Sequence, residues 1–171
     1  MQVEIADATD ADLPVIVDLL NATIDTTTFE YTDIAHSLVT RTAWFERQRQ
    51  RGFPVLVAVV DATVVGYAAY GDFRDSLARP GYRFTVEHSV HVARSHWGGG
   101  VGRTLMSALL DRASQAGMHV MVGAIDSSNA GSIRFHERLG FVETARMPEV
   151  GRKFDRWLDL VLMQRRVTHR S

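Results

Sequence analysis

Residues His88–Ala113 read HSVHVARSHWGGGVGRTLMSALLDRA. An alternating run gives way to three consecutive glycines, Gly98, Gly99 and Gly100, and then to an apolar stripe of helical period. Val101, Leu105, Leu109 and Ala113 recur every four residues, and Met106 and Leu110 widen the stripe. The stretch predicts a strand, a glycine-rich turn and a helix over residues 101–116. Ordering glycine costs backbone entropy, so such a run points to something that needs bare backbone. A helix start is such a place, because its first N–H groups lack intrahelical partners and its dipole favours an anion. Gly98, Gly99, Gly100 and Gly102 would let a phosphate reach those groups without meeting a Cβ.

Two familiar phosphate motifs fail on spacing. WGGGVGRT puts Trp97 where a P-loop needs its first glycine and Arg103 where it needs lysine. Counted from Gly98, GGGVGR puts Arg103 where the dinucleotide fingerprint needs its last glycine. The glycines alone predict a phosphorylated ligand and no more.

Working outward, QVEIAD alternates as a short strand, and ATDADLPVIVDLLNATID reads as a helix opened by Thr9 and Asp12, with Pro14 in its first turn. IAHSLVTRTAWFERQRQR predicts a second amphipathic helix, stopped by Gly52 and Pro54. PVLVAVV and VVGYAAYGDF, joined at Asp61–Ala62, form a predicted hairpin. After the glycine helix come a strand, MHVMVGAI, and a short helix with Asn129 as cap and Gly140 as stop. Residues 141–166 supply one or two closing strands. The fold class is α/β with a mixed sheet, and residues 1–171 are expected to form a single domain.

Composition narrows the function classes. Nineteen basic against twenty acidic residues give a formal charge of −1, which leaves no excess to neutralise nucleic-acid phosphates. The absence of cysteine removes disulfides, thiolate zinc and a cysteine nucleophile. MQVEIADATD lacks the basic start and apolar run of a signal peptide, and no apolar run approaches ~20 residues. A cytoplasmic protein with no membrane partner is the expectation. His88 and His91 lie three apart on a predicted strand and should face opposite ways, so no metal site is expected.

VARSHWGGGVGRTLMSALLDRA resembles the acetyl-CoA-binding motif of the GNAT acetyltransferase superfamily, Gln/Arg-x-x-Gly-x-Gly/Ala. NAGSIRFHERLGF resembles the motif that follows it, Asn-x-x-Ala/Ser-x-x-Phe/Leu-Tyr/His-x-x-x-Gly-Phe. TVEHSVHV and VGRKFDRWLDLVLMQR look like the phosphinothricin acetyltransferase branch, which includes enzymes acting on methionine sulfone and sulfoximine. The likeness runs from Val3 to Val167. It implies a GNAT-like, mostly antiparallel central sheet flanked by helices, with acetyl-CoA as cosubstrate and no metal. It also implies a homodimer, and a detoxification or resistance role.

The resemblance assigns roles position by position. Gly98, Gly99, Gly100, Val101, Gly102 and Arg103 would meet the CoA pyrophosphate. Val90, His91 and Val92 would lie beside the pantetheine arm, and Asn129 near the thioester. Phe73, Arg74, Asp75, Glu87, His88 and Ser89 would line the substrate pocket, with Glu87 as general base. Strand alternation puts Glu87, Ser89 and His91 on one face and His88, Val90 and Val92 on the other. Such a base has a clear task, since an α-ammonium is no nucleophile until it loses its proton. Arginine suits carboxylate or phosphinate recognition, and Arg74, Arg79 and Arg83 precede Glu87.

Two positions depart from the pattern. Trp97 stands where Gln or Arg is usual, and Gly99 where a basic residue is common. His136 stands where many members carry a tyrosine acid. The expected reaction is acetylation of the α-amine of a small amino-acid-like compound. Acetylation of a protein or peptide amine, and CoA binding without turnover, remain as alternatives.

Overall fold

The computed structural model describes residues 2–167. Its strands are β1 (Glu4–Asp7), β2 (Val55–Val60), β3 (Thr63–Asp72), β4 (Thr85–Val92), β5 (Val120–Asp126), β6 (Val142–Lys153) and β7 (Arg156–Arg166). Its helices are α1 (Leu13–Thr26), α2 (Leu38–Arg51), α3 (Val101–Gln115) and α4 (Ala130–Arg138). The strands form one sheet in the order β1-β2-β3-β4-β5-β7-β6. Only β4 and β5 run parallel; the other neighbours are antiparallel. This is the mixed, mostly antiparallel sheet expected.

Local chemistry sets the boundaries. Thr9 and Asp12 form the anticipated capping box, but it opens a 3-10 turn over Asp10–Asp12 that leads into α1. α2 starts later than its apolar period suggests. Ser37 accepts from the Thr40 N–H while Thr40 closes the reciprocal bond, and Asn21 ties down the His36 main chain. Gly52, left-handed at φ 66°, ends α2 as expected. Asp61 and Ala62 are both left-handed, as a tight two-residue hairpin requires.

Each face of the sheet has its own core. α3 buries Val101, Leu105, Met106, Leu109, Leu110 and Ala113 against one face, where β2–β5 and β7 contribute residues such as Leu56, Tyr70, Val86, Met121 and Val161. Leu13 and Ile16 of α1 and Phe45 of α2 pack against Val55, Val57, Tyr67 and Ala69 on the other. At ~1.5–3 kcal/mol for each large side chain buried, these two layers lock β3 and β4 between helices. Among the described residues, no helix is long and apolar enough to cross a membrane.

Candidate active site

β4 and β5 pair over only three positions, Thr85–Val120, Val86–Met121 and Glu87–Val122, and then part. β4 stays paired to β3 as far as Val92. The Ala93 N–H donates to the Val65 carbonyl at 2.8 Å. Antiparallel alternation therefore turns the main-chain groups of Val90 and Val92 away from β3, toward the gap. His91 sits between them with its main chain toward β3, so Val90 and Val92, and not His91, present the open edge. The Val92 carbonyl is engaged by Trp97, whose indole Nε1 donates to it at 2.7 Å.

The glycine run ends beside the same gap. Gly98 and Gly100 are left-handed, at φ 76° and 85°, and a Cβ at either would meet nothing within 4 Å. The first bond of α3 runs from the Thr104 N–H to the Gly100 carbonyl at 3.0 Å. The N–H groups of Val101, Gly102 and Arg103 lie ahead of it without intrahelical partners. Gly99 donates at 3.4 Å to the His96 carbonyl. At Gly102 a Cβ would come into ordinary contact with the Phe135 ring at 3.4 Å. Open glycines, free donors and a positive helix end fit a pyrophosphate, and the unpaired edge of β4 fits an extended amide-bearing arm.

Glu87 opens into a cavity of about 290 Å³ lined by Trp44, Gln48, Ala69, Tyr70, Gly71, Asp72, Glu87, His88 and Ser89. Its carboxyl is pushed above the usual glutamate range, first by partial desolvation and second by the like charge of Glu30, although the residue keeps an exposed surface that tempers the first effect. The cavity thus brings together Glu87, His88 and Ser89 of the six residues expected to line it. Phe73, Arg74 and Asp75 follow the end of β3 instead. Arg74 and Asp75 are both left-handed, at φ 61° and 50°. Phe73 packs edge-on against Tyr82, and the Arg74 guanidinium lies 5.9 Å from the same ring. Asp72 takes the inner position, bonded to Ser76 and to Arg51 Nη2.

On the opposite face of β4, His88 meets His136 of α4. Their rings stack with centroids 5.1 Å apart, and their Nε2 atoms are 3.2 Å apart. His136 Nδ1 lies 2.7 Å from the Ser132 carbonyl, so it carries a proton there. Its Nε2 then accepts, His88 Nε2–H donates, and His88 Nδ1 is left buried without a partner. Burial lowers both rings, His88 to about 3, with the neighbouring imidazole a second cause for His88. His91 faces the other way and stacks on Tyr67, as alternation predicted. Asn129 spends its side-chain oxygen on the Ser132 N–H at the start of α4, as a helix cap. Trp44, Gln48 and Asp72 were not anticipated. Trp44 and Gln48 carry a weak signal, an i, i+4 pair on α2, and Asp72 carries none.

These features have known counterparts. Residues 16–141 match the model of the Acetyltransferase (GNAT) family. The chain is 47% identical over 165 residues to the L-methionine sulfoximine/L-methionine sulfone acetyltransferase of Pseudomonas aeruginosa, covering 96% of this chain and 94% of that one. It is 36% identical over 157 residues to the phosphinothricin N-acetyltransferase of Alcaligenes faecalis, covering 91% and 78%. yncA of Salmonella typhimurium, solved with its cofactor acetyl-CoA, superposes with a TM-score of 0.93 at 43% identity, covering 100% and 97%. Sequence, fold and the open edge of β4 agree, and the chain belongs to the GNAT acetyltransferase family.

Proposed function

We propose that the protein moves an acetyl group from acetyl-CoA to the α-amine of a compact amino-acid-like substrate of the methionine sulfoximine, methionine sulfone or phosphinothricin type. The observation that carries this reading is Glu87, a carboxyl of raised basicity set in a small cavity beside the free edge of β4. The relatives supply the substrate class, and the cavity volume suits it.

The N–H groups of Val101, Gly102 and Arg103 would hold the pyrophosphate, Val90 and Val92 the pantetheine arm, and Gly98, Gly99 and Gly100 the close approach between them. Acetyl-CoA supplies an activated acetyl thioester. Glu87 accepts a proton from the ammonium, directly or through one water, and the amine's lone pair is freed to attack. The new C–N bond forms as the C–S bond breaks; the thiolate departs with the electron pair and takes up the second proton that the nitrogen sheds to become a neutral amide. His88 and His136 are neutral and buried, which supports a part in shaping the β4–β5 gap more than one in delivering a proton. Of the residues that follow β3, Arg74 is the one whose guanidinium would suit the substrate's anionic end, and its left-handed backbone turns it past the strand end.

A homodimer is part of the reading. β6 is an edge strand with Met147 and Val150 exposed, and Trp157 of β7 is 62% exposed beside it. An uncovered apolar edge of that kind needs a partner.

The test is thiol release from acetyl-CoA with phosphinothricin, methionine sulfoximine, methionine sulfone, plain amino acids and a peptide. Turnover on one compact amino acid is expected. Turnover on the peptide alone would replace the substrate assignment. Thermal stabilisation by acetyl-CoA without any turnover would favour a CoA-binding protein.

A further inference from the structure

The floor of the Glu87 cavity is made of small residues. Ala69 and Gly71 of β3 stand opposite Ser89 and Glu87 of β4, and side chains at paired positions share a face. Over that floor lie Trp44 and Gln48, one turn apart on α2. The main chain does not call for glycine at Gly71. β3 and β4 pair without a bulge from Gly66 to Asp72, and Gly71 is not left-handed. A glycine inside an unbroken strand weakens it and often marks a place where a ligand comes close. A Cβ on Gly71 would lie 3.6 Å from Gln48 Oε1, an ordinary contact, and would meet no other atom within 4 Å beyond its chain neighbours.

Gln48 is held so that its oxygen faces this space. β2 pairs with β3 only as far as Ala69, and the next carbonyl, that of Tyr70, accepts from Gln48 Nε2 at 2.7 Å. A carbonyl only accepts, so this bond fixes which end of the amide is nitrogen. Oε1 is the end left beside Gly71. Among the described residues nothing donates to it, although Gln48 is only 7% exposed. α2 is pinned nearby a second time, where Arg41 Nη2 donates to the Tyr67 hydroxyl at 2.9 Å. Asp72, the second carboxylate on the cavity wall, is paired to Arg51 Nη2 at 2.9 Å and bonded to Ser76. Gln48 Oε1 and the Glu87 carboxylate are thus the acceptors that border the space over Gly71, and no lysine or arginine lines the cavity. Acceptors around an open space suit a donor-rich cation, and an ammonium has three N–H groups to give.

We propose that Gln48 binds the acceptor amine, its Oε1 taking one N–H of the ammonium over Gly71 while Glu87 removes a proton from the same nitrogen. Resting on the acetyl-transfer reading above, this assigns the inner end of the cavity to a primary amine that arrives protonated. The two acceptors have separate tasks. An amide oxygen holds an N–H without taking its proton, whereas a carboxylate can take it. As the proton passes from nitrogen to the Glu87 carboxylate, the N–H on Gln48 stays in place and sets the direction of the freed lone pair. Gly71 is bare because the nitrogen sits where its side chain would be.

The test is calorimetry on the CoA-bound protein with methionine sulfone, or phosphinothricin if it binds more tightly, and with the same acid lacking its amine. Gln48→Met keeps the length of the side chain and removes the acceptor. The amine should bind it about tenfold more weakly, and the deamino acid as well as it binds wild type. Gly71→Ala leaves the Gln48–Tyr70 bond intact and puts a methyl group in the place of the nitrogen. It should weaken the amine at least as much, with a Tm no lower than wild type. Unchanged amine affinity in either variant would overturn the proposal. So would an equal loss for the amine and the deamino acid in Gln48→Met, which marks Gln48 as a strut for β3. A wild type that binds the amine no better than the deamino acid would overturn it too. Since no turnover is needed, the two readings fail separately. Amine binding through Gln48 without thiol release would sink the proposed function and leave this assignment standing, and turnover with affinities indifferent to both variants would do the reverse.

Discussion

His88 and His136, forty-eight residues apart in sequence, face each other Nε2 to Nε2 at 3.2 Å across the end of the β4–β5 pairing. Gly123 of β5 makes the room, because a Cβ there would stand 3.0 Å from His88 Nε2 and 3.5 Å from the His136 ring. A buried polar pair, one glycine and the divergence of two strands thus belong to one local arrangement.

Protonation should unseat that arrangement. Histidine in the unfolded chain titrates near ~6.5. Below that pH the unfolded state takes up a proton that folded His88 refuses until about 3. The stability from neutral burial is whole above ~6.5 and is lost as pH falls toward 3, by up to about 1.4 kcal/mol per pH unit for this group. Denaturant melts between pH 7 and pH 4 should show a shallower decline in His88→Gln than in wild type. Equal slopes would place the acid sensitivity elsewhere.

Gly123→Ala tests the spacing from the other side. A methyl group must displace His88 or His136, and overpacking of this kind costs about 1–3 kcal/mol. A lower Tm with the same fold by circular dichroism is the expected outcome. A Tm equal to wild type would show that the rings give way freely.

Trp97 should tune the cofactor side alone. Its indole N–H occupies the Val92 carbonyl, on the edge left open by β5, although the ring itself is 58% exposed. Trp97→Phe removes that donor and keeps an aromatic ring beside Arg94, whose guanidinium lies 5.4 Å from the present ring. One neutral hydrogen bond is worth ~0.5–1.5 kcal/mol, so KM for acetyl-CoA should fall about two- to tenfold. KM for the amine should hold. A rise in KM for acetyl-CoA would mean that the indole supports the bound arm.

The legible parts of this protein are those whose chemistry is local. The glycine run, the period of α3, the Asn129 cap and the Asp61–Ala62 turn each follow from a few adjacent residues. Alternation likewise put Glu87 and His91 on one face of β4 and His88 on the other. α2 starts later than its apolar period indicated because the Ser37–Thr40 box overrides it. The cavity walls were hidden, since Trp44 and Gln48 reach Glu87 only after α2 packs on β3. Arg74 and Asp75 carry the right chemistry for a substrate, but left-handed turns hold them past the end of β3 and leave the inner position to Asp72.

The most direct test of the account is the pH dependence of kcat/KM for the amine in wild type and in Glu87→Gln. General-base assistance of this kind is worth roughly 10²–10⁴-fold. The account predicts a loss of that size in the variant with little change in Tm or in KM for acetyl-CoA. The wild-type acid limb should lie above the ordinary glutamate range and vanish with the carboxylate. A variant that keeps wild-type rate and the same acid limb would contradict the assignment of Glu87 as the base.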